Sequence, residues 1–241
     1  MIFILLSKDN EKKRNNQIIT PKKTIMNVKN INFPTSQYYQ EEKTKSQIVL
    51  HHTVSDPMSS IGDINYWMSD TARIATYVVI NYDGTINKCF QSNQWAHHIG
   101  IKTETLKNMG FKDYLTRNLL LNKHSIGIEI DSWGGVTKKN GIFYNAYGKP
   151  LSNKLEVVEY DWRGYHYFQK YSNAQIDALA ELLPILMKRH NIINYGIKDG
   201  NFDVRRDAIS GKPGIYSHSS YRSDKSDIYP DDDLLKMINN L

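Results

Sequence analysis

Three stretches of the chain have the pattern of hydrophobic residues that is typical of β-strands. A short apolar run ends at Leu50 and continues directly into His51 and His52, which predicts a buried strand with two histidines at its end. Residues 75–80 are rich in β-forming side chains and precede an Asp-Gly turn, which predicts a hairpin. Isoleucine alternates with other residues along 125–130, which predicts a third strand.

Helical spacing of apolar residues occurs in three other segments. One helix is predicted to begin at the serine pair 59–60, because serine caps the first free N–H groups of a helix. Ser172 and Gln175 form a capping box for a second helix, in which Pro184 should introduce a kink or mark the end. A third helix, short and amphipathic, is predicted around Leu234.

The alternation of strands and helices indicates an α/β sheet fold. The length suits one domain, and we divide the chain into a flexible basic leader at 1–30 and a domain at 31–241. Residues 101–123 have no clear period and are predicted to form a long loop with at most one helical turn. Residues 132–171 contain a hairpin signal and many aromatic residues, which form a binding rim or a small local core.

The composition excludes some classes of function and leaves others open. The net charge of +6 favours polyanionic partners, such as nucleic acid, anionic membranes or the bacterial cell wall. No recognised nucleic-acid motif accompanies the charge, so nucleic acid is disfavoured as a partner. The apolar start of six residues is too short for a signal peptide or a membrane span, so neither export nor membrane insertion is expected. The single cysteine, Cys89, excludes an internal disulfide framework.

Histidines and carboxylates in three segments could form the site of a zinc hydrolase. Such a site needs three neutral or anionic protein ligands and one open position for water, and two imidazoles with a carboxylate meet this need. Adjacent strand residues point to opposite faces, so only one of His51 and His52 can reach the metal. The spacing of residues leaves this choice open, and it equally leaves open the choice between Asp224 and Asp227.

Four motifs follow one another in the order found in a known enzyme family. They are the strand that ends in His51, the segment 77–86, the Ser-Ile-Gly-Ile-Glu strand and the late histidine followed by Lys-Ser-Asp. Together they resemble the type 2 N-acetylmuramoyl-L-alanine amidases, which include phage lysins, bacterial muropeptide-recycling amidases and animal peptidoglycan recognition proteins. The resemblance covers roughly residues 45–130 and 172–230. It implies a central mixed β-sheet flanked by helices, Zn²⁺ as cofactor, and hydrolysis of the amide between N-acetylmuramic acid and L-alanine in peptidoglycan.

The resemblance also implies a role for individual residues. The implied zinc ligands are His51, His218 and Asp227. Glu129 corresponds to a catalytic glutamate that acts as general base, and Lys225 to a lysine that stabilises the oxyanion. His98 corresponds to the histidine of the family's Trp-His-Ala-Gly motif, and we expect it to contact the substrate or to support the metal site. Tyr77, beside the position of a lysin-type catalytic tyrosine, and Trp162, in the aromatic stretch, are further candidates for substrate contact.

The chain departs from the family in two places. Asp227 is followed by Ile-Tyr-Pro where the family usually has Pro-Gly, and residues 132–171 exceed the usual connection, which predicts an aromatic-rich insertion. We expect a monomeric phage-type endolysin that is made in the cytoplasm of the host bacterium and acts on the cell wall after release. A cytoplasmic muropeptide-recycling amidase also fits. A non-catalytic peptidoglycan-binding module fits less well, because it needs neither Glu129 nor Lys225.

Overall fold

A computed structural model describes residues 26–241, and the first 25 residues, which hold most of the predicted leader, lie outside the described residues. In the described part the strands are β1 (Val28–Asn30), β2 (Gln47–His52), β3 (Val78–Ile80), β4 (Ile86–Lys88), β5 (Ser125–Ile130), β6 (Gly135–Lys139), β7 (Ile142–Tyr144), β8 (Val157–Trp162), β9 (Tyr165–Gln169) and β10 (Gly214–Ser217). The α-helices are α1 (Ser60–Ser69), α2 (Thr103–Asn108), α3 (Arg117–His124), α4 (Asn173–His190), α5 (Arg206–Ile209) and α6 (Asp232–Asn239).

Six of these strands form a central mixed sheet in the order β1-β4-β3-β5-β2-β10. β3 and β4 pair antiparallel as the predicted hairpin, and the other neighbouring pairs in this sheet are parallel. Helices flank the sheet, so the predicted α/β class with a central mixed sheet is confirmed. Because β2, β5 and β10 run parallel, their carboxyl ends lie at the same edge of the sheet.

The centre of the sheet is buried on both faces, as the continuous apolar run before His51 predicts. All six residues of β2 are buried. Ile48 and Leu50 join a core cluster that contains Leu179 and Leu183 of α4, whereas Val49 joins a second cluster on the opposite face. Since side chains alternate along a strand, His51 shares the face of Val49. The sheet thus directs His51 away from α4.

The three predicted helices are present, and one predicted loop is wrong. The capping box of Ser172 and Gln175 is formed at the start of α4, and this helix continues through Pro184 to His190. Residues 101–123, which the sequence predicts as a loop, contain α2 and most of α3. The apolar period is weak in α3 because its buried face includes the polar side chain of Asn122. Within residues 26–241, no helix is long and apolar enough to cross a lipid bilayer.

The aromatic-rich segment folds as a second sheet. β7, β6, β9 and β8 form a four-stranded antiparallel sheet in that order, and β6–β7 is the predicted Lys-Asn-Gly hairpin. At the other end of the domain, residues 28–30 belong to the sequence-defined leader but pair with β4 as the edge strand β1. We therefore propose that the domain begins at or before Val28.

Candidate active site

Three parallel strands bring the candidate site residues to one edge of the central sheet. His51 is near the end of β2, and its register partner on β5 is Glu129. β10 ends at Ser217, so that His218 follows directly in a short 3₁₀ turn. Neighbouring register partners on parallel strands face the same side of the sheet. The fold therefore places two histidines and a glutamate around one point, although 167 positions separate the histidines.

The carboxylate of Asp227 lies between the two histidines. Its Oδ2 atom is 2.8 Å from Nδ1 of His218 and 3.3 Å from Nδ1 of His51. One ligand atom from each of the three residues lies within 4.8 Å of the other two, and all three side chains are buried. Nitrogen and carboxylate oxygen are the donors that zinc prefers beside thiolate, so this set fits a zinc ion.

The structure also separates the rival candidates. The His52 ring points to the other face of the sheet, where its Nδ1 atom is 3.1 Å from the hydroxyl of Tyr171. Asp224 lies outside the trio and forms an ion pair of 2.7 Å with Arg222. His51 and Asp227 are therefore the members of each pair that meet His218.

Hydrogen bonds determine which nitrogen of His218 carries its proton. The Nε2 atom lies 2.8 Å from the carbonyl oxygen of Ile99, which can only accept, so Nε2–H must donate. In the neutral ring the lone pair is then on Nδ1 and faces the carboxylate of Asp227. Two acceptors that face each other at this distance need a cation or an added proton between them, and a bound metal ion would meet this need.

A longer chain of hydrogen bonds gives the same result for His51. The Ser125 hydroxyl donates to the carbonyl oxygen of Leu121 at 2.6 Å and therefore accepts from Nε2–H of His98 at 2.8 Å. Nδ1 of His98 is then an acceptor, and it receives Nε2–H of His51 at 3.0 Å. The lone pair of His51 remains on Nδ1, which points towards Asp227. His98 thus orients the candidate ligand His51 in the way that outer partners of metal-bound histidines do.

The pKa shifts agree with this arrangement. Burial, reinforced by the nearby His218, lowers the pKa of His51 to about 4, so this ring is neutral at neutral pH. Burial alone would raise the pKa of Asp227, but His218 and His51 outweigh it and hold that pKa well below its usual range. At neutral pH the site therefore presents a neutral His51 and an ionised carboxylate, which are the protonation states that bind a metal.

The pKa of Glu129 shifts in the opposite direction to that of Asp227. Burial and the negative charge of Asp227 raise the pKa of Glu129 well above its usual range. Its Oε2 atom is buried and has no hydrogen-bond partner among the described residues. A carboxylate with a raised pKa and a free oxygen beside a candidate metal site is suited to accept and return a proton.

The trio and Glu129 line one cleft with a volume of about 330 Å³. Lys225 and Arg222 add positive charge, and Val54, Trp67 and Ile74 supply an apolar surface. Such a mixture of apolar surface and a few polar groups is typical of sites that bind small molecules or short polymer segments. Within the described residues Lys225 forms no ion pair, so its ammonium group is available to a ligand.

The three residues that the sequence suggests for substrate contact have different positions. His98 lines the cleft, but both of its ring nitrogens are engaged by Ser125 and His51. Tyr77 is buried in the core, whereas its neighbour Thr76 lines the cleft. Trp162 lies on β8, and its indole N–H donates to the carbonyl oxygen of Ser226 at 3.2 Å. Neither Tyr77 nor Trp162 lines the cleft, which argues against substrate contact by these two residues.

Sequence reasoning missed several residues of the cleft. The Ile99 carbonyl that orients His218 is a backbone group and leaves no trace in the residue type. Val54 has a φ of 58°, a conformation that β-branched residues rarely adopt and that composition does not signal. Arg222 lies five residues before Asp227 in the same loop, and its charge beside Lys225 is a signal that could have been used.

Comparison with known proteins identifies a protein family whose model matches most of the chain. The family model described as N-acetylmuramoyl-L-alanine amidase matches residues 41–230. No curated protein sequence matches the chain. Among solved structures, the N-acetylmuramoyl-L-alanine amidase LysC from Clostridium intestinale URNW is similar with 16% identity and a TM-score of 0.40, over 87% of this chain and 89% of LysC. PlyL is similar with 13% identity and a TM-score of 0.44, over 85% and 86% of the two chains. A selenomethionine derivative of AmpD is similar with 14% identity and a TM-score of 0.44, over 89% and 96%.

Proposed function

Because the chain belongs to the N-acetylmuramoyl-L-alanine amidase family, we propose that it cleaves the amide between N-acetylmuramic acid and L-alanine with a Zn²⁺ ion held by His51, His218 and Asp227. The observation that supports this proposal most directly is the convergence of three ligand atoms within 4.8 Å in a buried site. The hydrogen bonds of both histidines leave their lone pairs on the nitrogens that face Asp227. The site residues therefore fit a zinc ion without a change of tautomer.

When bound, zinc supplies a Lewis acid that polarises a carbonyl and makes water more acidic. Glu129 takes the proton of the attacking water through its free Oε2 atom and passes it to the leaving nitrogen of L-alanine. Its raised pKa allows the carboxyl group to hold that proton between the two steps. Lys225 lies in the same cleft and stabilises the negative charge that develops on the carbonyl oxygen.

The proposed activity is tested by mass spectrometry of digested peptidoglycan together with zinc analysis of the protein. We expect new L-alanine amino termini and one zinc ion for each chain, whereas new reducing sugar ends would indicate a glycosidase. Glu129→Gln should lower kcat by about 10²–10⁴-fold and leave zinc content unchanged, because it removes only the general base. Glu104→Gln, on the surface helix α2, is the matched control. Normal activity of Glu129→Gln would remove this residue from the mechanism.

We propose a phage-type endolysin role, with intact cell wall as the substrate. The net charge of +6 supports this choice, because it favours binding to anionic wall polymers. A muropeptide-recycling enzyme would instead prefer soluble fragments, so the ratio of kcat/KM on whole sacculi to that on soluble muropeptides separates the two roles. A non-catalytic wall-binding module would bind sacculi and release no new amino termini.

A further inference from the structure

The second sheet contacts the loop that carries Lys225 and Asp227. We call residues 222–227 the Lys225 loop. The β8–β9 hairpin places Trp162 and Arg163 against it, and both side chains donate hydrogen bonds to its backbone. The proposed mechanism assigns no role to this hairpin or to the rest of the 132–171 segment.

The hairpin contacts the Lys225 loop at both ends. The indole N–H of Trp162 donates to the carbonyl oxygen of Ser226, the residue directly before Asp227, at 3.2 Å. The guanidinium of Arg163 donates to the carbonyl oxygens of Arg222, at 3.5 Å, and of Ser223. These contacts are between side chains of the hairpin and backbone atoms of the loop, so they constrain the path of the loop whatever its side chains are.

Arg163 is held firmly although it is on the surface of the sheet. It forms an ion pair of 2.8 Å with Asp203, and its side chain is only 15% exposed. Its guanidinium also lies 4.9 Å from the ring centre of Trp162, which is a cation–π distance. The two side chains therefore form one unit, which is anchored outside the Lys225 loop by Asp203.

The backbone at the tip of the hairpin favours other residues than arginine. Arg163 and Gly164 have φ angles of 49° and 85° and form the two-residue turn between Trp162 and Tyr165. Two positive φ angles define the turn in which Asn-Gly or Asp-Gly is the preferred pair. Arginine at the first position is unfavourable for the backbone, and the contacts of its guanidinium give a reason for its presence.

The base of the hairpin packs against the residues that follow Asp227 in the chain. Phe168 on β9 is fully buried and stacks on Tyr229, with ring centres 4.5 Å apart and an angle of 22° between the rings. Asp227 is thus preceded by Ser226, which binds the tip, and followed closely by Tyr229, which packs on the base. The sheet contacts the chain on both sides of this residue.

From these contacts we infer that the β8–β9 hairpin is a positioning element that holds the Lys225 loop, and with it Lys225 and Asp227, in register with the cleft. The inference rests on the proposed function, because it assigns a role towards the same site. Trp162 and Arg163 are positioning residues, since they act through the loop backbone and line no part of the cleft.

The test uses Arg163→Asn in the full chain. This substitution provides the preferred residue pair for the turn, so the hairpin should stay folded and the Tm should be unchanged or higher. It removes the guanidinium, so we expect kcat to fall about tenfold and zinc affinity to weaken by a similar factor, as for lost outer partners of metal ligands. KM should change little. Trp162→Phe keeps an aromatic ring at this position, removes the N–H donor and should lower kcat and zinc affinity by a smaller factor.

His166→Ala is the matched control, because its side chain is on the same hairpin, is 78% exposed and pairs with Asp161 of β8. Zinc affinity is measured by competition with a chromophoric chelator, and kcat on a soluble muropeptide. Normal kcat and zinc affinity in Arg163→Asn would overturn the inference, whatever the Tm. The proposed function fails by a different result, which is a wild-type chain that binds no zinc and releases no L-alanine termini. The wild type therefore tests the proposed function, and Arg163→Asn tests the role of the hairpin.

Discussion

Replacing His98 by alanine is expected to weaken zinc binding although no proposed ligand is removed. In the wild type, Nδ1 of His98 accepts the Nε2 proton of His51 at 3.0 Å and so leaves the other nitrogen of His51 free for the metal. Without this acceptor, His51 can carry its proton on Nδ1 instead and donate it to Asp227, 3.3 Å away. Nδ1 of His51 and the Asp227 carboxylate would then bind each other, and both groups would be lost to the proposed zinc ion.

The size of the effect follows from the burial of the groups. A buried N–H that loses its acceptor costs about 1–3 kcal/mol, because the ring cannot turn to water. His51 is 2% exposed, so this cost falls on the tautomer that binds metal. The corresponding loss of zinc affinity is about 10–100-fold, which agrees with the usual effect of removing an outer partner of a metal ligand.

The assay compares two substitutions at His98. Asparagine can place its amide oxygen near the position of Nδ1 and accept from His51, so His98→Asn should recover most of the affinity that His98→Ala loses. Zinc affinity is measured by chelator competition near neutral pH, where the low pKa of His51 keeps its ring neutral. Long-range proton–nitrogen NMR spectra of the metal-free protein report the tautomer of His51 directly.

His97→Ala serves as the control, because this neighbouring ring contacts Tyr39 rather than the trio. We expect it to leave zinc affinity unchanged. Equal affinity of the wild type and His98→Ala would refute the reasoning, and so would a His51 ring that is protonated on Nδ1 in the wild type. Equal losses in His98→Ala and His98→Asn would show that packing, and not the accepted hydrogen bond, is responsible.

Two further predictions concern stability. Gly134→Ala should lower the free energy of unfolding by about 2–4 kcal/mol, because the residue has a φ of 63° and an added Cβ would lie 2.3 Å from Nε2 of His52. In thermal unfolding the control Gly141→Ala should show a much smaller loss, because Gly141 has a φ of 78° but open space around it. Equal losses in the two variants would contradict the steric argument. Burial raises the pKa of Asp131 from 3.8 to about 8, so the folded state holds this proton more tightly and stability from this group is lost as the pH rises between these values. In chemical denaturation across that range Asp131 should contribute a slope of up to about 1.4 kcal/mol per pH unit. Asp131→Asn should remove this contribution and leave that of Glu129, whose pKa is also raised, and a variant with the wild-type slope would disprove the assignment.

Much of the fold could be predicted because hydrophobic patterns and turn residues are local. The buried strand before His51, the β3–β4 hairpin and the capping box at Ser172 each depend on a few consecutive residues. Helix α3 could not be predicted in this way, since its buried face contains Asn122 and has no apolar period. The polar residue is buried there because it binds another segment, a contact that exists only in the folded chain.

The candidate site was predictable in its residue types and not in its supporting contacts. His51 and Glu129 lie near the carboxyl ends of two predicted strands, so their meeting follows from parallel pairing, whereas the strand β10 before His218 is not predicted by the sequence pattern. The choice of Asp227 over Asp224 depended on family resemblance, because both residues are acidic and lie in the same loop. Trp162 is a candidate for substrate contact only because it lies in an aromatic stretch, and aromatic composition does not distinguish a ring that binds substrate from one that donates to the backbone.

The buried amide of Asn122 links the mispredicted helix to the proposed metal site. Its Oδ1 atom accepts the backbone N–H groups of His98, at 2.7 Å, and of Ile99, at 3.1 Å. His98 orients one proposed ligand through its side chain, and Ile99 orients the other through its carbonyl oxygen. One side chain on α3 thus fixes the backbone from which both histidines receive their tautomers. Asn122 therefore interrupts the apolar pattern of α3 and supports the segment that orients both proposed ligands. We expect its loss to disturb His51 and His218 at once.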